Sequence, residues 1–481
     1  MPLILSGNVA SATASTGYTV DNSCRFNDDD DARISRTLGT ATDVDKWTMS
    51  AWVKRCTLGA NSSIFTCYGN GSQKGTIRFD STNKISAYLL YSGGWKYVQT
   101  SAVYRDVSAW YHIVVAVDTS QATDTNRIKL YVNGSLATIG ASTYPAQDAN
   151  THFNEAVEHQ IGSLIDETED GDMYLSEFVF IDGTQYAASD FGEFDSNTPT
   201  VFKPIDVSGL TFGTNGCYLD FKDSSNLGND ANGGTDWTVT NLAAADQSTD
   251  TPTNSFATLN SLDGSQGNST FSEGNCKIAF SSGDYMWARS TTGMSSGKWY
   301  AEFKNVTSQE HSYVAICVDG ADDTSTYIGG GGGAAAGVND EFEWGYKTSS
   351  GGVWNNASEA SYGDTYTDGD IISVALDLDN NKLYFAKNGT WQDSGDPTSG
   401  ATGTGAVSIT APASTSTGFY FFAVVDGTSA SAGGFEANFG GCPAFTVSSG
   451  NADGDGYGNF EYAVPSGYYA LCTKNLGAYG G

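Results

Sequence analysis

Apolar positions in this chain come in short runs separated by clusters of Gly, Asn, Asp and Ser, and one arrangement of them occurs twice. Trp110 to Asp118 (WYHIVVAVD) is followed, after a polar stretch, by Ile128 to Gly134. Asp370 to Asp377 is followed, after Asp379-Asn380-Asn381, by Lys382 to Gly389. Each copy is a β-branched run stopped by Asp, then a second short strand closed by Asn-Gly. β-branched and aromatic side chains suit a pleated surface, and Asn-Gly tolerates the positive φ of a tight hairpin turn. The repeat predicts two related β-sandwich domains. No segment carries a long apolar repeat at helical spacing, so very little helix is expected and the fold class is all-β.

Further strands are predicted around Trp47–Lys54, Ser63–Cys67, Gly75–Phe79, Lys84–Leu89 and Tyr174–Gly183 in a first block, residues 1–221. In the last of these, strict alternation places Leu175, Glu177, Val179 and Ile181 on one face. Tyr174, Ser176, Phe178 and Phe180 take the other, and apolar residues on both faces predict a strand covered on both sides. Residues 222–267 form a polar connector packed partly on the domains, with Trp237 pinned. A second block, residues 268–481, has core-like runs at Gly297–Phe303, Tyr313–Val318, Gly418–Val425 and Phe435–Gly440.

Composition narrows the function. A formal charge of −32, from 23 Lys and Arg against 55 Asp and Glu, excludes a polyanion-binding surface and therefore nucleic acid as a partner. Apolar runs are strand-sized, so no membrane insertion is expected. The start, Met1-Pro2-Leu3-Ile4-Leu5, lacks a basic n-region, and synthesis in a cytoplasm without a signal peptide is expected. The eight cysteines form no Cys-x-x-Cys pair, and the four histidines have no zinc spacing. Reduced cysteines acting as small buried apolar groups are the favoured reading.

The strands Trp47–Lys54, Trp110–Val115, Lys129–Gly134 and Met173–Phe178 resemble, in order, those of a laminin-G-like, concanavalin-type jelly roll. Gly297–Glu302, Lys382–Phe385 with Asn388-Gly389, and Phe435–Phe439 resemble a SPRY-type sandwich. The two modules, joined through Thr251–Asn260 and ending in Pro465–Thr473, resemble structural proteins of tailed bacteriophages, usually tail-fibre or surface proteins. The resemblance implies a virion-surface location, other virion proteins as partners, host-surface polysaccharide as a ligand, and a homo-oligomer, with a trimer favoured for a fibre. It implies a non-enzymatic fibre-type adhesin. The alternatives are a capsid or tail decoration protein and, second, a glycan-degrading enzyme. Laminin-G-like domains often carry a structural calcium; no other cofactor is implied.

Candidate chemistry is sparse. A retaining glycosidase needs two carboxylates about 5 Å apart. The acid-rich Asp166–Asp172 lacks the interleaved apolar residues that would hold such a pair on a strand, and Glu341-Phe342-Glu343-Trp344 reads as a strand edge. No nucleophile elbow accompanies the histidines, and His112, mid-strand, reads as structural. No catalytic residue is assigned. Asp166 and Asp170, and Asp453 and Asp455, fall at calcium-loop spacings, although solvated turns explain them as well. A sugar offers an apolar face and a ring of hydroxyls, so exposed aromatics beside polar side chains are the binding candidates. These are Tyr91, Trp95 and Tyr97 in the first block, and Trp354, Asn355 and Tyr362 in the second. A partner protein would use the same loops. The tract Gly329–Gly337 lacks the Lys of a phosphate-binding loop and reads as a loop.

Overall fold

The structure, a computed structural model, describes residues 17–480 apart from 71–72, 92–93, 165–168, 265–268, 282–285, 319–340, 357 and 427–432. The chain divides into two compact units, Thr13–Thr253 and Asn254–Gly481. Among the described residues the secondary structure is nearly all strand, with Thr473–Tyr479 the one α-helix.

The first unit is a sandwich of two eight-stranded sheets. One runs Ser135–Leu136, Ile128–Val132, Trp110–Asp118, Lys46–Arg55, Met173–Asp182, Ser23–Phe26, Gln247–Ser248, with Cys217–Leu219 also paired to Met173–Asp182. The other runs Ile139–Thr143, Trp95–Thr100, Ile85–Tyr91, Gln73–Phe79, Ser62–Asn70, Glu158–Ile161, Arg33–Thr37, Thr238–Thr240. All pairings are antiparallel. Period-2 alternation explains the packing. Trp47, Met49, Ala51 and Val53 enter the core between the sheets, as do Ile113, Val115 and Val117. The opposite faces of the same strands bury Trp52, Val114 and Ala116 under Phe191, Phe202, Val207 and Phe212.

The Met173–Asp182 strand is covered on both sides, but its faces are not those of strict alternation. Leu175, Phe178 and Phe180 all face the core, while Val179 and Ile181 face the outer cluster. The register against Lys46–Arg55 slips between Ser176 and Val179, and Glu177 sits at φ 50°. An extra residue in one strand reverses the facing of everything after it. Composition gives no sign of such a bulge.

In both copies of the repeated pattern, Asn-Gly makes a two-residue turn into a further short strand. Asn133 and Gly134 have φ of 48° and 79°, Asn388 and Gly389 of 47° and 78°, as a type I′ turn requires. The asparagine side chains play the same part twice: Asn133 Oδ1 accepts the His112 amide at 2.8 Å, and Asn388 Oδ1 accepts the Ile371 amide at 2.9 Å. A Cβ on Gly134 would fall on the Phe202 ring, and one on Gly389 on the Tyr462 ring. Gly134→Ala and Gly389→Ala are each expected to destabilise their unit by about 1–3 kcal/mol, from overpacking and positive φ together. Thermal unfolding of the two variants checks this.

The second unit pairs a seven-stranded sheet, Leu259–Gly264, Met286–Ser290, Tyr420–Asp426, Ser312–Val318, Trp344–Lys347, Gly352–Asn355, Ser358–Ser361, with a nine-stranded one built on Lys298–Thr307, Ile371–Asp377 and Lys382–Lys387. Trp299, Phe303, Val314, Ile316, Val374, Phe385, Phe422 and Val424 fill the space between. The polar stretch after residue 222 is not a free tether. Leu227 and Trp237 belong to the first core, Thr238–Thr240 and Gln247–Ser248 are edge strands of the first unit, and Phe256, Ala257 and Leu259 are buried in the second. Its polarity reflects turns: Asp223, Asn226, Asp230 and Asp236 bond to backbone and side chains within that segment.

Candidate functional site

The first unit's second sheet turns a polar and aromatic face away from its core. Ile85, Ala87 and Leu89 point inward, as do Ile77, Phe79 and Val98, so Arg78, Ser86, Tyr88, Tyr97 and Gln99 share the other face through the registers Arg78↔Ser86, Ser86↔Gln99 and Tyr88↔Tyr97. Tyr88 and Tyr97 stack with centroids 4.9 Å apart at 19°. Trp95 meets Tyr88 edge-on at 5.4 Å, and the Arg78 guanidinium lies 5.2 Å from the Tyr88 centroid. Arg78 also bonds Glu169, whose other oxygen accepts Asn61 Nδ2 at 2.7 Å. At one end Asp80 accepts Ser86 Oγ and Gln99 Nε2, each at 2.7 Å, and Thr82 and Lys84 backbone amides. Burial alone would raise the Asp80 carboxyl; these donors outweigh it and hold it below the ordinary range.

The result is a half-buried aromatic ladder whose charges are already matched. Such a surface offers flat apolar rings for the underside of a sugar, with Gln99, Ser86 and the Arg78–Glu169 pair beside it for hydroxyls. Trp95 and Tyr97, picked out from sequence, lie here. The Tyr91 side chain falls outside the described residues, although its backbone pairs with Trp95. Tyr88, Arg78, Gln99 and Glu169 escaped sequence reading. The alternation of Ile85-Ser86-Ala87-Tyr88-Leu89 was the available signal for the first of them.

In the second unit the aromatic candidates are not brought together. Trp354 joins the cluster of Trp287, Tyr313, Ala315 and Val425 on the outer face of its sheet, with the Lys347 ammonium 5.1 Å from its ring. Tyr362 packs on the inner core instead. Its hydroxyl accepts the Phe385 amide at 3.1 Å and donates to the Gly405 carbonyl at 3.4 Å. Asn355 Nδ2 donates to the carbonyls of Glu341 and Glu343, at 3.1 and 2.8 Å. Those polar atoms serve the fold.

The calcium spacings meet a similar outcome. Asp453 accepts four N–H donors, from Asp455, Tyr457, Ala470 and Asn475, at 2.8–3.0 Å. A carboxylate with its lone pairs so engaged acts as a turn-former. Asp455 accepts Tyr479 Oη at 2.8 Å. Asp166 lies outside the described residues, as does the Gly329–Gly337 tract. Asp170 is half-buried, and burial pushes its carboxyl up. Among the described residues, no group of three or more His, Cys, Asp or Glu is placed to hold a metal ion.

His112 is fully buried between Trp52 and Phe202, with Nε2 2.8 Å from Ser50 Oγ. Burial pushes its pKa down to about 3, so it stays neutral. Glu302, also fully buried, accepts Tyr300 Oη, Asn438 Nδ2 and the amides of Glu461 and Tyr462. Neither is free to act on a substrate.

Residues 26–174 match the family model described as the concanavalin A-like lectin/glucanases superfamily, and residues 309–417 match the SPRY domain model. The chain therefore carries a concanavalin-like, laminin-G-like domain followed by a SPRY domain. No curated protein matches it. Solved structures resemble it over parts of its length. The SPRY domain of human HERC1 is 16% identical, with 39% of this chain and 99% of that chain covered and a TM-score of 0.29. A native heptameric SAP-like pentraxin from Limulus polyphemus is 16% identical, with 35% and 78% covered and a TM-score of 0.28. A human SPRY domain is 14% identical, with 34% and 90% covered and a TM-score of 0.25.

Proposed function

We propose that this chain is a non-enzymatic glycan-binding protein that uses the Tyr88–Trp95–Tyr97 face of its first domain, and that it serves as a fibre-type adhesin on the surface of a bacteriophage particle, bound to other virion proteins as a homo-oligomer and engaging host-surface polysaccharide. The aromatic ladder carries the binding reading: three rings held edge-on and stacked, with charges satisfied within the protein, make a platform that needs no rearrangement to accept a sugar. The phage setting is supported by the succession of the two modules and the Thr251–Asn260 junction in the sequence.

A glycan array reads the first half of the proposal. Trp95→Ala and Tyr97→Ala are expected to weaken binding about tenfold or more each, because a buried aromatic contributes about 1.5–3 kcal/mol of apolar contact. Both residues are only half-buried in the free protein, so unfolding temperatures should move little. Absence of any glycan binding, together with stoichiometric attachment to capsids, would favour the decoration reading instead. Release of reducing sugar would establish an enzyme. Locating the chain in a virion reconstruction tests its place on the particle and the trimer together.

A further inference from the structure

At one end of the first unit, away from the aromatic ladder in sequence, a cleft of about 630 Å³ opens between the Gly39–Val44 loop and the Asn150–Val157 segment, with Gln73 on its margin. That volume suits a mono- or disaccharide-sized ligand. The walls are fixed before any ligand arrives. The carboxylate of Asp182, 2% exposed, accepts the amides of Thr42 and Asn215 at 2.7 and 3.1 Å and the side chain of Asn154 at 2.7 Å. Asn215 in turn donates to Asn154 Oδ1 and to the Gly39 carbonyl, each at 3.1 Å, and accepts the Gly39 amide at 2.9 Å. The Leu38 amide donates to the Val157 carbonyl at 3.2 Å, tying one wall to the other. Asn154 adopts φ 66° within this network, a conformation retained only where surrounding bonds determine it.

The lining chemistry is specific. No aromatic ring lines the cleft, so recognition there cannot proceed by stacking. Thr40, Gln73 and Asn150 supply hydroxyl and amide groups, and Glu155, one oxygen of which lies 3.4 Å from His152 Nδ1, is the one ionisable side chain among the lining residues. No Lys or Arg lines it, and the nearby Lys46 ammonium is held 2.8 Å from Asp43. A hydroxyl-rich ligand that also carries a positive amine matches this set: its hydroxyls meet the amides and threonine, and its ammonium meets the carboxylate. We infer that the cleft is a second saccharide site, distinct from the aromatic face and selective for amino sugars with an unacetylated amine.

The test uses the whole protein and a disaccharide of glucosamine, compared with its N-acetylated form and with a neutral glucose disaccharide, by titration calorimetry. A short ligand is necessary because the charge of −32 attracts any polycation without specificity. The glucosamine disaccharide is expected to bind the native protein and Tyr97→Ala alike. Glu155→Gln is expected to weaken it about tenfold or more, the worth of one charge-assisted hydrogen bond, and the acetylated form should bind no better to the native protein than to Glu155→Gln. Ala156→Trp, which fills the cleft from an exposed position, should abolish binding while the unfolding temperature is kept. Equal binding of acetylated and free amine, loss in Tyr97→Ala, retention in Glu155→Gln, or no binding at all would each overturn the inference. Loss in Tyr97→Ala would assign the ligand to the aromatic face, whereas failure of the aromatic face itself would show as unchanged array binding in Trp95→Ala.

Discussion

Asp250→Ala is expected to destabilise the first unit by about 3–5 kcal/mol, the cost of leaving a buried charge without its partner. The Asp250 carboxylate lies 2.7 Å from Lys54 Nζ, with the two side chains 2% and 1% exposed. Its other oxygen accepts Trp110 Nε1 at 3.0 Å, and its backbone carbonyl accepts Ser23 Oγ at 2.6 Å. Lys54 stands next to the end of its strand on the outer face of the first sheet, its ammonium 5.8 Å from the centre of the Tyr174 ring. Without the carboxylate that ammonium must deprotonate, draw water inward or leave its place, and each costs free energy. Removing both charges should cost much less, because the desolvation penalty disappears with the attraction. Lys54→Met combined with Asp250→Ala is therefore expected to recover most of the loss. Urea unfolding followed for each unit separately gives the comparison, since a two-unit chain need not unfold in one step. A double variant no more stable than Asp250→Ala would show that the carboxylate acts chiefly through Trp110.

The Glu177 carboxyl should withdraw stability from the first unit as pH rises from about 5 to 8, the reverse of the behaviour of a surface carboxylate and opposite in sign to buried His112 and His159, which add stability as pH rises toward about 6.5. Glu177 is 5% exposed. Burial pushes its pKa up to about 7, only partly opposed by the hydroxyls of Tyr218, 2.7 Å away, and Tyr18, 3.2 Å away. Glu302 in the second unit is pushed up to about 6, again by burial, against four opposing donors. A carboxyl whose folded pKa exceeds the unfolded value of about 4.3 binds its proton more tightly when folded. Its stabilisation is fully present below the unfolded pKa and is lost as pH climbs through the folded one. For Glu177 the span amounts to roughly 3.5–4 kcal/mol at most. Below about pH 4 the sign reverses. Asp118, Asp370 and Asp396, all held below the ordinary range, then become protonated and lose the bonds that hold them. Glu177→Gln should remove this one contribution to the neutral slope of the first unit, leaving that of Asp172, which burial also pushes up to about 7, and should raise its stability at pH 8 relative to the native protein. Glu302→Gln should not help the second unit, because an amide would set N–H against the backbone donors of Glu461 or Tyr462. Chemical denaturation midpoints at pH 5 and 8 decide both. A stability difference between the native protein and Glu177→Gln that is the same at the two pH values would show that Glu177 ionises in the folded state without penalty.

The candidate site was only half legible. Trp95 and Tyr97 stand out as aromatics in a polar loop-and-strand segment. Their usefulness depends on Tyr88, one strand away, and on Arg78, a further strand away, and cross-strand register is not written in either strand alone. Trp354, Asn355 and Tyr362 looked equivalent because sequence spacing cannot tell which face of a strand a side chain takes once turns intervene. The cleft under Glu155 left no signal: it joins a loop at residue 39 to one at residue 150, through Asp182 and Asn215.

The alternation of apolar and polar residues, with Asn-Gly at the turns, was enough to determine an all-β chain, two sandwiches and a shared hairpin in each, because side-chain period and positive φ are local properties. The tertiary structure decided what local rules do not reach. It made a bulge at Glu177 that exchanges the faces of a central strand. It turned the polar stretch before residue 254 into the edge of the first domain, with Asp250 as counter-ion to a lysine 196 residues earlier. It also gathered the aromatic ladder and the end cleft from distant segments. Burial, ion pairing and cross-strand contact are relations between residues far apart in sequence, and only the folded chain brings them together.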